Sequence, residues 1–334
     1  MGCFNVLLLS EKEIRNLYSM KECIGDIEQA FRYYTEGKTV TPVRTALTEK
    51  KLEAATLYMP SYVEAAKHMG IKIVSVVPHN REMGKPTVQG VTLLTDAATG
   101  EHVAMLNATY LTVLRTGASS GVATKYLART DSKICAVLGC GAQAFGQVQA
   151  VMEVRELKQL LLYNRNRAKA EDLKKRILEL YPDWRGDIVI CDQPDKAVQA
   201  SDIVICSTRA TSPIFDGDSL SPGTHINAIG SFLPHMQEID LTTLRRSSKI
   251  VADTLEGVLH EAGDFLIPME KGEWSHDEIY AELGEIVTGR KSGRQTDKEI
   301  TLFKSVGVAF LDLVVAKAVY DKAREFGAGT VVEF

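Results

Sequence analysis

The segment Leu138-Gly-Cys-Gly-Ala-Gln-Ala144 follows an apolar run, Lys133–Leu138, and precedes a helical pattern that reaches Val154. Glycines two apart at such a junction have a definite chemical use. Gly139 permits the tight turn, and Gly141 lets the backbone approach a pyrophosphate. The amides opening the following helix offer unpaired donors and a positive dipole end. Ala142 and Gln143 lie in that turn, and Ala144 takes the place of the third small residue of the fingerprint, a substitution it allows. The next apolar run, Leu160–Tyr163, ends in Asn164-Arg165-Asn166-Arg167. An acidic residue there would bond the adenosine ribose diol. None is present, and Arg165 and Arg167 suit a 2′-phosphate through forked, charge-assisted contacts. The pattern predicts a dinucleotide site with NADP as the expected cofactor and NAD as the alternative. Ser207 and Thr208, after a fourth apolar run, and Gly230, after a later one, stand where ligands meet the carboxyl ends of parallel strands. No metal is expected. His68, His79, His260 and His276 lack ligand spacing, and Glu256, His260 and Glu261 read as a solvated helix face.

These residues need elements to hold them. From Ser132 onward, short apolar strands alternate with helices: 133–138, 160–163, 188–190, 202–206, 224–229 and 249–252 as strands, Arg167–Leu180 as a helix. That alternation predicts a doubly wound parallel sheet. Before it, Lys12–Tyr34 has helical apolar spacing, with a Ser10/Glu13 capping box at its start and Gly37 as a stop. Strands are predicted at 54–59, 71–77, 90–96 and 103–107, the last two joined through Asp96–Gly100, and Thr109–Leu127 reads as a helix. Thr301–Glu325 reads as one long apolar helix that returns to the first domain. The fold class is therefore α/β, with a Rossmann-like dinucleotide-binding domain at 121–305 inserted into a split α+β domain made of 1–120 plus 306–334.

Composition narrows the classes. The 334 residues carry 39 basic and 43 acidic side chains, a net charge of -4, which gives no general electrostatic reason for nucleic acid or an anionic membrane as partner. No apolar run is long enough for a membrane helix, and the N-terminus lacks a basic secretory region. Gly2 is weak evidence for myristoylation, since Val6 stands at the hydroxyl position. Cys3, Cys23, Cys135, Cys140, Cys191 and Cys206 are scattered and read as reduced thiols of a cytoplasmic protein.

Further pieces occur in order along nearly the whole chain: Gly70-Ile-Lys72, Gly84-Lys-Pro-Thr87, Asp96-Ala-Ala-Thr-Gly100, Leu114-Arg-Thr-Gly-Ala118, the turn at Gly139–Ala144, His225-Ile-Asn-Ala-Ile-Gly230 and Phe303-Lys-Ser-Val-Gly307. With them the chain resembles the ornithine cyclodeaminase/mu-crystallin family. The resemblance implies a homodimer, a small amino-acid or imino-acid substrate, and hydride exchange between a nicotinamide and the substrate α-carbon. By position it implies Lys72 as the active-site lysine and Arg115 and Arg44 as carboxylate-binding arginines. Thr87, Thr116 and Ser305 match cofactor-side positions. Cyclodeaminases of the family carry an aspartate two residues after the glycine matching Gly230. Phe232 stands there instead, and neither His235 nor Glu238 is an obvious replacement. The expected activity is therefore NADPH-dependent reduction of a cyclic ketimine or pyrroline-type carboxylate. The alternatives are an NAD-dependent amino-acid dehydrogenase (alanine-type) or ornithine cyclodeaminase, and a nicotinamide-bound binding protein.

Overall fold

The structure is a computed structural model that describes residues 4–334 and, within them, every side chain except those of Lys50 and Arg81. Gly2 and Cys3 lie outside the described residues. The chain forms two compact units, Met1–Arg115 with Val308–Phe334, and Thr116–Gly307.

The first unit is built on a mixed sheet. Its strands are β1 (Asn5–Leu9), β2 (Thr39–Val40), β3 (Thr45–Glu49), β4 (Ala54–Val63), β5 (His68–Val76), β6 (Val88–Asp96), β7 (His102–Asn107) and a last strand, Thr330–Glu333. β4 to β7 form an antiparallel meander, β1 joins β7 in parallel, and Thr330–Glu333 closes the edge beside β1. The Asp96 carboxylate accepts the amides of Ala98 and Thr99, which fixes the expected turn between β6 and β7. β1, β2, β3 and Thr330–Glu333 escaped the sequence reading. They are short, and β3 is exposed throughout, so hydrophobic alternation cannot mark it.

Two helical expectations need correction. The stretch expected as one helix from Lys12 to Tyr34 is two, α1 (Glu11–Leu17) and α2 (Met20–Thr35), with Tyr18 extended between them. A second capping box, Ser19 with Glu22, restarts the helix, and such a cap is worth about 1 kcal/mol. The long helix expected from Thr301 also begins later. Thr301–Lys304 pairs in parallel with two strands of the second unit, Gly307 turns at φ +84°, and the helix spans Ala309–Phe326. This terminal helix lies on the inner face of the first unit's sheet. At Gly70 a Cβ would come within 2.7 Å of Leu313 Cδ1, so the helix packs closely on β5 at that point. The sheet's other face carries apolar rows: Pro60, Ile71, Leu93 and Met105 are register partners across β4–β7, as are Tyr58, Ile73 and Val91 across β4–β6. Met69, Val91 and Met105 are exposed there.

In the second unit the strands are β8 (Ile134–Leu138), β9 (Gln159–Tyr163), β10 (Asp187–Ile190), β11 (Ile203–Cys206), β12 (His225–Ala228), β13 (Lys249–Ala252), β14 (Ala281–Glu282) and β15 (Thr301–Lys304). They pair in parallel in the order β10-β9-β8-β11-β12-β15-β13-β14. β11, β12, β13 and β15 are buried at every residue, as parallel strands covered on both faces must be. The order reverses between β8 and β11, and such a switch point opens a crevice at the carboxyl ends of the strands. Helix α3 (Ala108–Leu127) precedes β8, α4 (Ala144–Val154) follows it, and α5 (Arg167–Leu180) follows β9. This is the Rossmann-like sheet inserted into an α+β frame that the sequence pattern predicts. Cys23, Cys135, Cys140, Cys191 and Cys206 are free thiols. No helix of the described residues is long and apolar enough to cross a membrane.

Candidate functional site

The second unit holds a dinucleotide cradle at its switch point. Gly139 adopts φ +97°, and a Cβ there would lie 2.5 Å from Thr208 Cγ2 and 2.8 Å from the Ser207 carbonyl oxygen, so only glycine fits. Ser207 Oγ donates to the Gly139 carbonyl at 2.7 Å, tying the β8 turn to the loop after β11. At Gly141 a Cβ would meet nothing within 4 Å, which is the open approach a pyrophosphate needs. Beyond Ala142, Gln143 caps α4 without a side-chain hydrogen bond to the first amides, and its buried Oε1 has no protein partner. The helix start is thus left for an anion. These residues fit a nicotinamide dinucleotide.

At the end of β9, Asn164 turns inward. Its Oδ1 accepts the Cys140 amide at 3.0 Å and its Nδ2 donates to the Asn166 carbonyl at 2.9 Å, so it braces the glycine turn. Arg165 is exposed and has no partner among the described residues. Arg167, by contrast, donates to Asp192 at 2.9 Å and lies 3.7 Å from Glu171. Of the two arginines named from the sequence, Arg167 is thus already ion-paired at the surface and Arg165 is not.

The loops after β11 and β12 are locked by a carboxylate the sequence reading set aside. Glu238, fully buried, accepts the amides of Thr208, Gly230 and Ser231. Burial first, and then the neighbouring Asp264, push its pKa up to about 7. A Cβ at Gly230 would lie 2.3 Å from the Thr208 carbonyl oxygen and 2.6 Å from Glu238 Oε1, so that glycine serves loop packing. Thr208 Oγ1 accepts the Ala210 amide, and Ser305 Oγ donates to Asp253 at 2.7 Å. Thr116 is buried in α3. His235 is exposed, and Phe232 packs against the unit's apolar core.

The first unit gathers the residues the resemblance pointed to. Lys72, on the inner face of β5, donates from Nζ to Asp312 Oδ2 at 2.7 Å, and Arg115 Nε donates to Asp312 Oδ1 at 3.0 Å. Side chains of Lys72 and Asp312 are 2 % exposed and that of Arg115 is 6 % exposed. Burial, reinforced by Arg115 and Arg44, brings the Lys72 pKa down to about 8 against the pull of Asp312. Arg44 sits just before β3 and adds positive charge near the lysine. Thr92, the register partner of Lys72 on β6, is buried with its hydroxyl unpartnered. Thr87 precedes β6, and its carbonyl accepts the Val77 amide. Asp312 was missed from the sequence. Its signal was an acidic residue inside the apolar stretch Ala309-Phe-Leu-Asp-Leu313. Among the described residues no group of His, Cys, Asp or Glu is arranged to hold a metal ion.

The geometry therefore offers a weakly held lysine proton beside two guanidinium groups in one unit and a dinucleotide cradle in the other. Comparison with known proteins covers both units. The model of the ornithine cyclodeaminase/mu-crystallin family matches residues 5–327. A Δ1-pyrroline-2-carboxylate reductase of Bacillus cereus is 41% identical over 98% of this chain and 100% of its own length. The structure of a Δ1-pyrroline-2-carboxylate reductase of Thermococcus litoralis in complex with NADH and L-proline superposes with a TM-score of 0.93, at 43% identity, covering 97% of this chain and 99% of that one. An archaeal alanine dehydrogenase dimer with bound NAD superposes with a TM-score of 0.91, at 34% identity, over 99% of this chain and 100% of that one. Both solved relatives carry NADH or NAD, so the NADPH preference expected from the end of β9 finds no support among them.

Proposed function

The chain belongs to the ornithine cyclodeaminase/mu-crystallin family, and from that premise we propose that it reduces a cyclic imino acid of the Δ1-pyrroline-2-carboxylate kind to the corresponding cyclic amino acid. At the coarser level it is a hydride-transfer oxidoreductase of small imino or amino acids that uses a nicotinamide dinucleotide. The observation that carries the finer reading is the buried cluster of Lys72, Arg115 and Asp312, with Lys72 at a pKa of about 8.

The first unit takes the substrate. Arg115 and Arg44 hold its carboxylate by charge-assisted hydrogen bonds. Lys72 hands a proton to the imine nitrogen, an acid whose pKa near working pH suits that step, and recovers a proton from solvent. In the second unit Gly139, Gly141, Ala142, Gln143 and the start of α4 hold the pyrophosphate. Thr116, Ser207, Thr208 and Ser305 complete the cofactor side of that unit. A nicotinamide held there would supply the hydride that the α-carbon receives. Arg165 gives a 2′-phosphate a partner, so NADPH is accepted as well as NADH. Phe232 offers no carboxylate, which disfavours cyclisation of a diamino acid. The exposed apolar face of the first unit's sheet is the contact of a homodimer. The closely similar alanine dehydrogenase supports a second reading, NAD-dependent interconversion of an amino acid and its 2-oxo acid.

Nicotinamide deuterated at C4 tests the reading. Deuterium on the α-carbon of a cyclic amino acid, formed without added ammonia, supports it. Deuterium incorporated only when ammonia and a 2-oxo acid are supplied overturns it in favour of the dehydrogenase.

A further inference from the structure

Asp312 stands where an apolar residue would be expected. The buried residues around it on the terminal helix are Ala309, Phe310, Leu311, Leu313, Val315 and Ala316. A carboxylate only 2 % exposed is costly unless it is paired and hydrogen-bonded. Three features offset that cost. It lies in the first turn of the helix, where the dipole favours an anion. One of its oxygens takes Lys72 Nζ and the other takes Arg115 Nε. Resting on the proposed reduction, we propose that Asp312 is the positioning residue of this site. One oxygen fixes the lysine ammonium and the other the guanidinium, so that the lysine N–H groups not spent on Asp312 face the substrate nitrogen while the arginine faces its carboxylate.

The surroundings of Lys72 leave this task to Asp312. On β4 its register partner is Met59 and on β6 it is Thr92, neither able to carry charge. From α3 comes Arg115, from the segment before β3 comes Arg44, and both oppose a charged lysine. Asp312 is the anion that holds the proton on Lys72 against them. During reduction the C=N bond gains a hydride at carbon and the Lys72 proton at nitrogen, while Asp312 stays ionised and neither gains nor loses a proton.

The test compares Asp312→Asn and Asp312→Glu in the full chain, using the ¹⁵N resonance of Lys72 Nζ, assigned with Lys72→Arg. The expected result is a fall in the Lys72 midpoint of about one to three pH units in Asp312→Asn, the range an opposite charge at this distance commands. The alkaline limb of kcat should fall with it, while Asp312→Glu stays near the native midpoint. A lysine midpoint unmoved by Asp312→Asn overturns the proposal, since a merely structural role would lower stability and leave that midpoint in place. If Asp312→Asn does not fold, the unaltered chain labelled at the aspartate carboxyl carbon decides. The Asp312 resonance should step at the pH where Lys72 loses its proton, and a flat resonance overturns the proposal. The lysine titration needs no substrate. A shifted midpoint with no imino-acid turnover would therefore retain the role of Asp312 and reject the proposed reduction.

Discussion

Lys72 sets the pH behaviour expected of the site. Its pKa is about 8, lowered chiefly by burial, so the protonated form that donates to an imine is lost as pH rises through that value. Reductive kcat/KM should be level below about 8 and fall above it, whereas oxidation of the cyclic amino acid, which needs the neutral amine as acceptor, should rise over the same interval. Lys72→Met should cost about 10²–10⁴ in turnover and remove that limb, as steady-state profiles from pH 6 to 10 would reveal. A second prediction separates the two arginines after β9. Arg165→Ala should raise KM for NADPH by about tenfold or more with little change for NADH, the loss of a charge-assisted contact. Arg167→Ala should change neither, because that guanidinium is held by Asp192 and Glu171. At this scale the sequence was readable where a residue type has one use at a turn, as at Gly139. It was not readable where the use depends on folding. Asn164 proves to brace the turn through Cys140, and Asp312 meets Lys72 across 240 residues of chain. No local pattern reports such a pairing.

Elements were legible in proportion to their periodicity. Arg167–Leu180 and Lys249–Ala252 fall where the apolar spacing predicts them. The boundary at Thr301–Lys304 did not, since a short buried strand and a buried helical turn have the same composition. Parallel pairing with β12 and β13 decides it, and so does Asp253, which accepts the amides of Val306 and Gly307. The Gly139 turn gives a prediction for the element it opens. Gly139→Ala would force an L-residue to φ +97° and a Cβ into Thr208. It should destabilise the chain by about 1–3 kcal/mol and abolish dinucleotide binding, measured by calorimetry and by quenching of protein fluorescence on NADH addition. Glu238→Ala would strip three amides, two of them buried, of their acceptor and should weaken dinucleotide binding as well.

For the whole molecule, the inserted arrangement was readable because the chain switches rhythm at Ser132 and the last helix is too apolar to stand alone. Strand β1 and the edge strand Thr330–Glu333, which join the two chain ends, were not: Val6–Leu9 is an unbroken apolar run without alternation, and Thr330–Glu333 is exposed at three of its four residues. The outer face of the first unit's sheet is exposed at Met69, Val91 and Met105. A charge placed among its apolar rows, as in Ile71→Glu, should shift the sedimentation coefficient from dimer to monomer without unfolding the chain, and an unchanged coefficient would place the contact elsewhere. Steady-state oxidation of NADH and NADPH with Δ1-pyrroline-2-carboxylate, set against pyruvate with and without ammonia, tests the proposed reduction itself. A cyclic-imine reductase should turn over the imine with no ammonia required and with both cofactors accepted. Turnover confined to pyruvate plus ammonia would instead mark an amino-acid dehydrogenase.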